Sequence, residues 1–174
     1  MARHNKGFSL IELLIVVAII LIIAAIAIPN LLRARIAANE SSAVSSIRTM
    51  NTAQVAYQSS YPTVGYASTI VRLGPSASTG CTTPASTNAC LVDWIVARAS
   101  TAAKAKSGYY FADKPAAAVN GIIPGYTFDG LPASVNKTGV RGFCSNQDAV
   151  IRFTAVGNVP SGSAAACAAY KALQ

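Results

Sequence analysis

Residues 7–28 read GFSLIELLIVVAIILIIAAIAI. From Phe8 to Ile28 only Ser9 and Glu12 interrupt the apolar run, which is long enough to cross a bilayer, since a spanning helix needs about 20 mostly apolar residues. One carboxylate therefore lies inside a membrane-spanning stretch. A lone charge in a membrane helix costs roughly 2.5–3.5 kcal/mol on insertion scales and persists where it finds a partner or serves a function. Glu12 needs a cation, and Arg3 and Lys6 sit more than a turn away toward the N-terminal end. A cut after Gly7 would create one, the new amino group of Phe8, with an unperturbed pKa of about 8.

Pro29 follows the run inside a pattern that continues helical; a proline there removes a backbone hydrogen bond and clashes with the preceding turn, so a kink is expected. Leu32, Ile36, Ala43, Ile47, Met50 and Tyr57 recur at steps of three, four and seven, an amphipathic stripe. Arg33, Arg35, Asn39, Ser42, Ser46 and Thr49 form the polar side, as in a helix half laid into a domain. Tyr61-Pro62 closes it, because the residue before a proline is pushed out of the helical region. A helix from Phe8 to about Ser60 would be roughly 80 Å long at 1.5 Å per residue, far beyond one membrane thickness. Its upper half is expected to pack on a head.

The chain has 174 residues, so what remains beyond the helix suffices for one compact domain and not two. Beyond Pro62, residues 75–84 are a Ser, Thr, Gly and Pro loop, preceded by a short helix from Ser68 to Leu73 that Gly74 stops. Asn88 to Lys106 has helical features: Asn88 as cap, Asp93 near the start, Lys104 and Lys106 near the end and Gly108 after it, each on the side the helix dipole favours. Trp94, Leu91, Ile95 and Ala99 would form its inner face. Tyr109–Ala112, Tyr126–Phe128, Val140–Cys144 and Val150–Thr154 are short aromatic and β-branched segments bounded by Gly, Pro, Asn and Asp, which read as strands. The last two read as a hairpin across residues 145–148. The expected fold class is α+β: a long kinked N-terminal helix whose upper half packs on an antiparallel sheet of about four strands, the usual two-layer solution. The C-terminal residues 161–173 are rich in small side chains, with Cys167 stapling them to the sheet.

Cys81, Cys90, Cys144 and Cys167 all follow the span. Their even number and placement outside the cytoplasm indicate two disulfides, and of the three connectivities the sequence-adjacent one, Cys81 with Cys90 and Cys144 with Cys167, is favoured. A zinc site fits poorly, because there is no CxxC and the only histidine is His4. The carboxylates of the head are Glu40, Asp93, Asp113, Asp129 and Asp148, widely separated, with no phosphate loop or nucleophile motif. No enzyme activity and no cofactor are expected. Asp113, Asp129 and Asp148 lack the ligand spacing of a calcium loop and read as turn aspartates. The formal charge is +8, and losing Arg3 and Lys6 would leave +6. The basic residues are dispersed from Arg33 to Lys171, which favours a solvated surface over a nucleic-acid face, so nucleic acid is only a weakly supported partner.

The junction carries a specific resemblance. GFSLIELLIVVAII at residues 7–20 resembles the N-terminal signature of type IV pilins and of the related pseudopilins of type II secretion, and the short leader and Phe at the cut resemble the type IVa branch. The resemblance implies that prepilin peptidase cuts between Gly7 and Phe8 and N-methylates the Phe8 amine. Glu12 would then neutralise the amine of a neighbouring subunit, registering each new subunit in a filament. It further implies a leader at 1–7, a hydrophobic transmembrane and polymerisation helix at 8–29, the amphipathic half of that helix at 30–60 and a head at 61–174. The Cys144–Cys167 pair would resemble the disulfide-bounded C-terminal loop of many type IV pilins. Membrane lipid surrounds the helix before assembly, when the protein is a single-pass inner-membrane protein; afterwards it is an extracellular filament or a periplasmic pseudopilus. Partners by the same resemblance are copies of itself, the peptidase, the inner-membrane assembly platform and its ATPase, and an outer-membrane secretin. Family members often carry a second proline in the upper half of the helix, and this chain has none before Pro62.

Two plainer readings compete. Ala25-Ile26-Ala27 has the small-residue spacing of a secretory cleavage site, but a carboxylate heading the apolar core argues against it. A single-span anchor satisfies the positive-inside rule but leaves Glu12 without a partner. Within the resemblance, the alternatives to a pilus subunit are a secretion pseudopilin and a minor pilin serving as adhesin or DNA-binding tip module, reading through loops 75–84 and 144–167.

Overall fold

The computed structural model describes residues 8–157 and 163–173. Helix α1 is Leu10–Ser60, 51 residues, with Pro29 inside it. Short elements follow: α2 (Ile70–Leu73), α3 (Trp94–Arg98) and a 3-10 turn (Ala102–Lys104), then β1 (Tyr109–Pro115), β2 (Tyr126–Pro132), β3 (Gly142–Asn146), β4 (Arg152–Thr154), α4 (Ala164–Ala168) and β5 (Lys171–Ala172). The chain divides into two units, one ending at Arg35 and one beginning at Ile36.

The first unit is the apolar helical segment. Its large side chains from Leu10 to Leu32 are exposed. The second unit is the head, built around the part of α1 that begins at Ile36. Ala43, Ile47, Met50 and Tyr57 are all but inaccessible to solvent there, so the stripe read from the sequence does face the core, each such side chain contributing about 1.5–3 kcal/mol when fully buried. Leu32 departs from that stripe and is exposed, and Ser46, expected on the polar side, is buried. Ser46 is satisfied where it lies: its hydroxyl donates to the Ser42 carbonyl at 3.0 Å and accepts from Lys106 Nζ at 3.2 Å.

Several polar side chains of α1 are buried because each has a partner, as burial of a polar group requires. Gln54 grips the backbone of Ala67 with both ends of its amide, Nε2 donating to the carbonyl at 3.1 Å and Oε1 accepting the N–H at 2.8 Å. Asn51 donates to Ser145 Oγ at 2.8 Å and accepts from the Tyr126 hydroxyl at 3.2 Å. These bonds fix the rotation of the part of α1 from Ile36 onward within the head.

The sheet is an antiparallel meander in the order β1-β2-β3-β4-β5. Alternation directs Tyr109 and Phe111, Tyr126 and Phe128, and Phe143 into one core with Ile47 and Met50 of α1. Gly130 on β2 allows the close approach: a Cβ there would stand 3.1 Å from Ile47 Cδ1. The fifth strand, beyond the expected four, is a two-residue edge that pairs with β4 through Arg152–Ala172 and Phe153–Lys171. The expected hairpin turn is shifted. β3 continues through Asn146, whose Oδ1 accepts the Asp148 N–H at 2.9 Å while Asp148 Oδ1 accepts the Val150 N–H at 2.8 Å, two side-chain-closed turns that carry the chain to β4.

The expected helix from Asn88 to Lys106 is not formed as one element. Cys90 has φ 58° and is bonded to Cys81, and the N–H groups of Ala89, Leu91 and Val92 are taken by the carbonyls of Arg72 and Leu73. Helix starts only where Asp93 Oδ1 accepts the Val96 N–H at 2.8 Å, so Asp93 is the cap and Asn88 is not. Of the expected inner face, Ala99 is buried and Leu91 packs on the core, but within α3 the buried residues are Val96 and Ala97, while Trp94 is half-buried and Ile95 is 60% exposed. The reason is steric. α2 lies against α3 so closely that a Cβ on Gly74 would collide with the Ala97 side chain, a contact that admits small residues and excludes indole.

Candidate functional site: the N-terminal junction and its head

Phe8 and Ser9 precede α1, with Phe8 78% exposed. The Ser9 N–H donates to Glu12 Oε2 at 2.9 Å, and the Leu13 N–H reaches the Ser9 carbonyl at 3.2 Å. This is the return half of a capping box, in which an acidic residue three positions into the helix satisfies the N–H of the capping residue. Ser9-Leu10-Ile11-Glu12 carries that signal in the sequence as S-x-x-E. Glu12 thus has a local hydrogen-bond partner on its own helix, through one oxygen. Its negative charge remains uncompensated by any cation among the described residues. Gly7 and the rest of 1–7 lie outside them.

One helix in the described residues, α1, is long and apolar enough to span a membrane, and no part of its most apolar window is buried by the chain. That surface has no cover within a single subunit.

The head is held by covalent and ionic clasps. Disulfides join Cys81 to Cys90 and Cys144 to Cys167, with Cα separations of 5.8 and 5.9 Å. Glu40, 7% exposed at its side chain, accepts the N–H groups of Val140 and Arg141 on Oε1, each at 3.0 Å, and Arg141 Nε on Oε2 at 2.8 Å. Burial works to raise the Glu40 pKa, but the bonds from Arg141 and Val140 outweigh it and hold the carboxyl below the usual value. Arg141 in turn lies over the rings of Phe143 and Phe153.

The other carboxylates are dispersed. Asp113 is on β1, where burial pushes its pKa up against hydrogen bonds from the Ile70 N–H and its own. Asp129 on β2 lies 4.0 Å from Lys114. Asp148 pairs with Arg152 at 2.7 Å, which holds the acid down and raises the arginine. Among the described residues no three His, Cys, Asp or Glu gather as metal ligands.

The family model described as prokaryotic N-terminal methylation motif matches residues 2–28. The chain is similar to the type IV wide pilus major component PilA4 of Thermus thermophilus, 68% identical over 38 residues, 22% of this chain and 29% of that protein. The N-terminal segment thus carries a methylation motif and is similar to that of type IV pilins. A second pilin it resembles is the type IV major pilin protein PilA of Myxococcus xanthus, 49% identical over 54 residues, 31% of this chain and 24% of that protein. The chain thus matches about a quarter of the length of these pilins. No solved structure matches. The long apolar helix followed by an antiparallel five-stranded sheet is the α+β arrangement expected from the resemblance to type IV pilins.

Proposed function

We propose that the chain is a structural subunit of a type IV pilus, with no catalytic role of its own. The carrying observation is the apolar surface of α1 from Leu10 to Leu32, exposed throughout its large side chains and headed by the charge of Glu12. Such a surface is stable in lipid or against copies of itself. In this reading prepilin peptidase cuts between Gly7 and Phe8, methylates Phe8, and leaves an amine that pairs with Glu12 of the neighbouring subunit. Each charge is costly alone in a dry environment and tolerable when paired, so the pairing penalises wrong registers. Glu12 Oε2 is occupied by Ser9, which orients the carboxylate and leaves its other oxygen for the amine. The peptidase, the inner-membrane platform with its ATPase and the outer-membrane secretin are the partners this route requires. The relatives named as major pilus components support a major subunit over a pseudopilin or a minor tip protein.

Sheared surface filaments analysed by mass spectrometry test this. A peptide beginning at methylated Phe8 should dominate. Its presence only in trace, or only in the periplasm, would contradict the major-pilin reading in favour of a minor pilin or a pseudopilin respectively.

A further inference from the structure

The outer face of α3 and the turn after it carry a group of side chains that the junction and the clasps of the head do not involve. Trp94, Ile95, Arg98 and Lys104 line a surface depression of about 300 Å³. The Arg98 guanidinium lies 4.3 Å from the centre of the Trp94 ring, which holds it in place: among the described residues its side chain makes no hydrogen bond or ion pair, and with Nε buried the two terminal nitrogens are the donors open to a ligand. Lys104 is exposed and likewise has no acidic partner there. A positioned guanidinium fork, an ammonium and an apolar floor of indole and isoleucine thus converge on one small hollow.

We propose that this hollow binds one carboxylate-bearing sugar unit of an acidic polysaccharide, the carboxylate on the Arg98 fork and Lys104, and the apolar C–H face of the ring against Trp94 and Ile95. A planar, always charged fork suits bidentate recognition of a carboxylate, and an apolar hollow with few placed polar groups is the usual form of a small-ligand site. Charge argues against a second copy of this chain as occupant. Its six acidic residues are already engaged: Glu12 with Ser9, Glu40 with Arg141, Asp93 with the Val96 N–H, Asp113 with the Ile70 N–H, Asp129 opposite Lys114 and Asp148 with Arg152. Extent argues against nucleic acid, which is held by a groove of cations tracking several phosphates, whereas this hollow has two cations. Asp93, the nearest acid in sequence, is turned to its capping bond.

Trp94 is the only tryptophan of the chain, so its fluorescence reports on this site directly. The full-length mature chain in detergent micelles is titrated with trigalacturonate, followed by Trp94 emission and in parallel by calorimetry, which does not depend on the Trp94–Arg98 contact. Saturable binding is expected, weakened about 10-fold or more by Arg98→Ala, less by Arg98→Lys, and about 3-fold by Lys104→Gln. A neutral galactose trisaccharide should give no binding. Because these side chains are outside the core, circular dichroism of the variants should match that of the parent. Absence of trigalacturonate binding, or binding unchanged in Arg98→Ala, overturns the proposal. So does an oligothymidylate that binds more tightly than trigalacturonate with the same dependence on Arg98, which would assign the hollow to nucleic acid.

Discussion

Glu40 sits on the inner face of α1 with both carboxylate oxygens spent on the segment that leads into β3. Removing it leaves the N–H groups of Val140 and Arg141 without their acceptor, while the half-exposed guanidinium turns to water, so Glu40→Ala should lower head stability by about 2 kcal/mol, measured by urea unfolding of the mature chain. Acid should act on the same bond. The folded pKa of Glu40 is depressed, so its contribution is present at neutral pH and is lost as pH falls through the folded value; Asp148 behaves alike through Arg152. Asp113 works in the opposite sense, since its folded pKa is raised and protonation relieves its burial. With two depressed acids against one raised, stability should decline below about pH 4, and Glu40→Gln should flatten that limb. An unchanged acid profile in Glu40→Gln would show that another group controls it. At the junction, Gly7→Leu should leave uncut precursor in the membrane, because a protease must approach the backbone closely at the site it cuts; immunoblotting for the leader checks this.

At the scale of elements, the clasp between β3 and α4 is the clearest. Cys144–Cys167 closes a loop of 23 residues, worth about 3 kcal/mol in chain-entropy terms. Cys144→Ser with Cys167→Ser should therefore lower the urea midpoint and free β5, whose two residues pair only with β4; amide exchange at Leu173, bonded to Ile151, should rise first. Equal protection with and without the disulfide would place the anchor of this segment elsewhere. How legible such elements were depended on what decides them. The stripe Ala43, Ile47, Met50, Tyr57 and the strand around Phe128 were readable, because periodicity alone separates buried from exposed faces there. The start and the inner face of α3 were less legible, because the N–H groups before it are taken by Arg72 and Leu73 and its buried face is set by the Gly74–Ala97 contact, packing that no local pattern encodes. Gln54 and Asn51 look like surface residues in sequence; only their backbone and Ser145 partners make them core. Of the junction, the apolar run and Glu12 were plain in the sequence, and the Ser9 bond was legible as S-x-x-E.

The whole molecule combines an uncovered apolar helical segment with a head closed by two disulfides and an ion pair whose carboxylate is buried. Each half makes sense if copies of the first unit pack together and the second is displayed outside the cell, where disulfides endure. The demand on Glu12 is then double: it caps its own helix and neutralises a neighbour's amine. Glu12→Gln separates the two, since glutamine also serves in a capping box but carries no charge. The decisive measurement is the yield of sheared surface filaments from cells producing the Glu12→Gln chain, set against its yield of cleaved subunit in the membrane. The account predicts cleavage and membrane levels like those of the parent with filaments absent; filaments at the parental yield would contradict it.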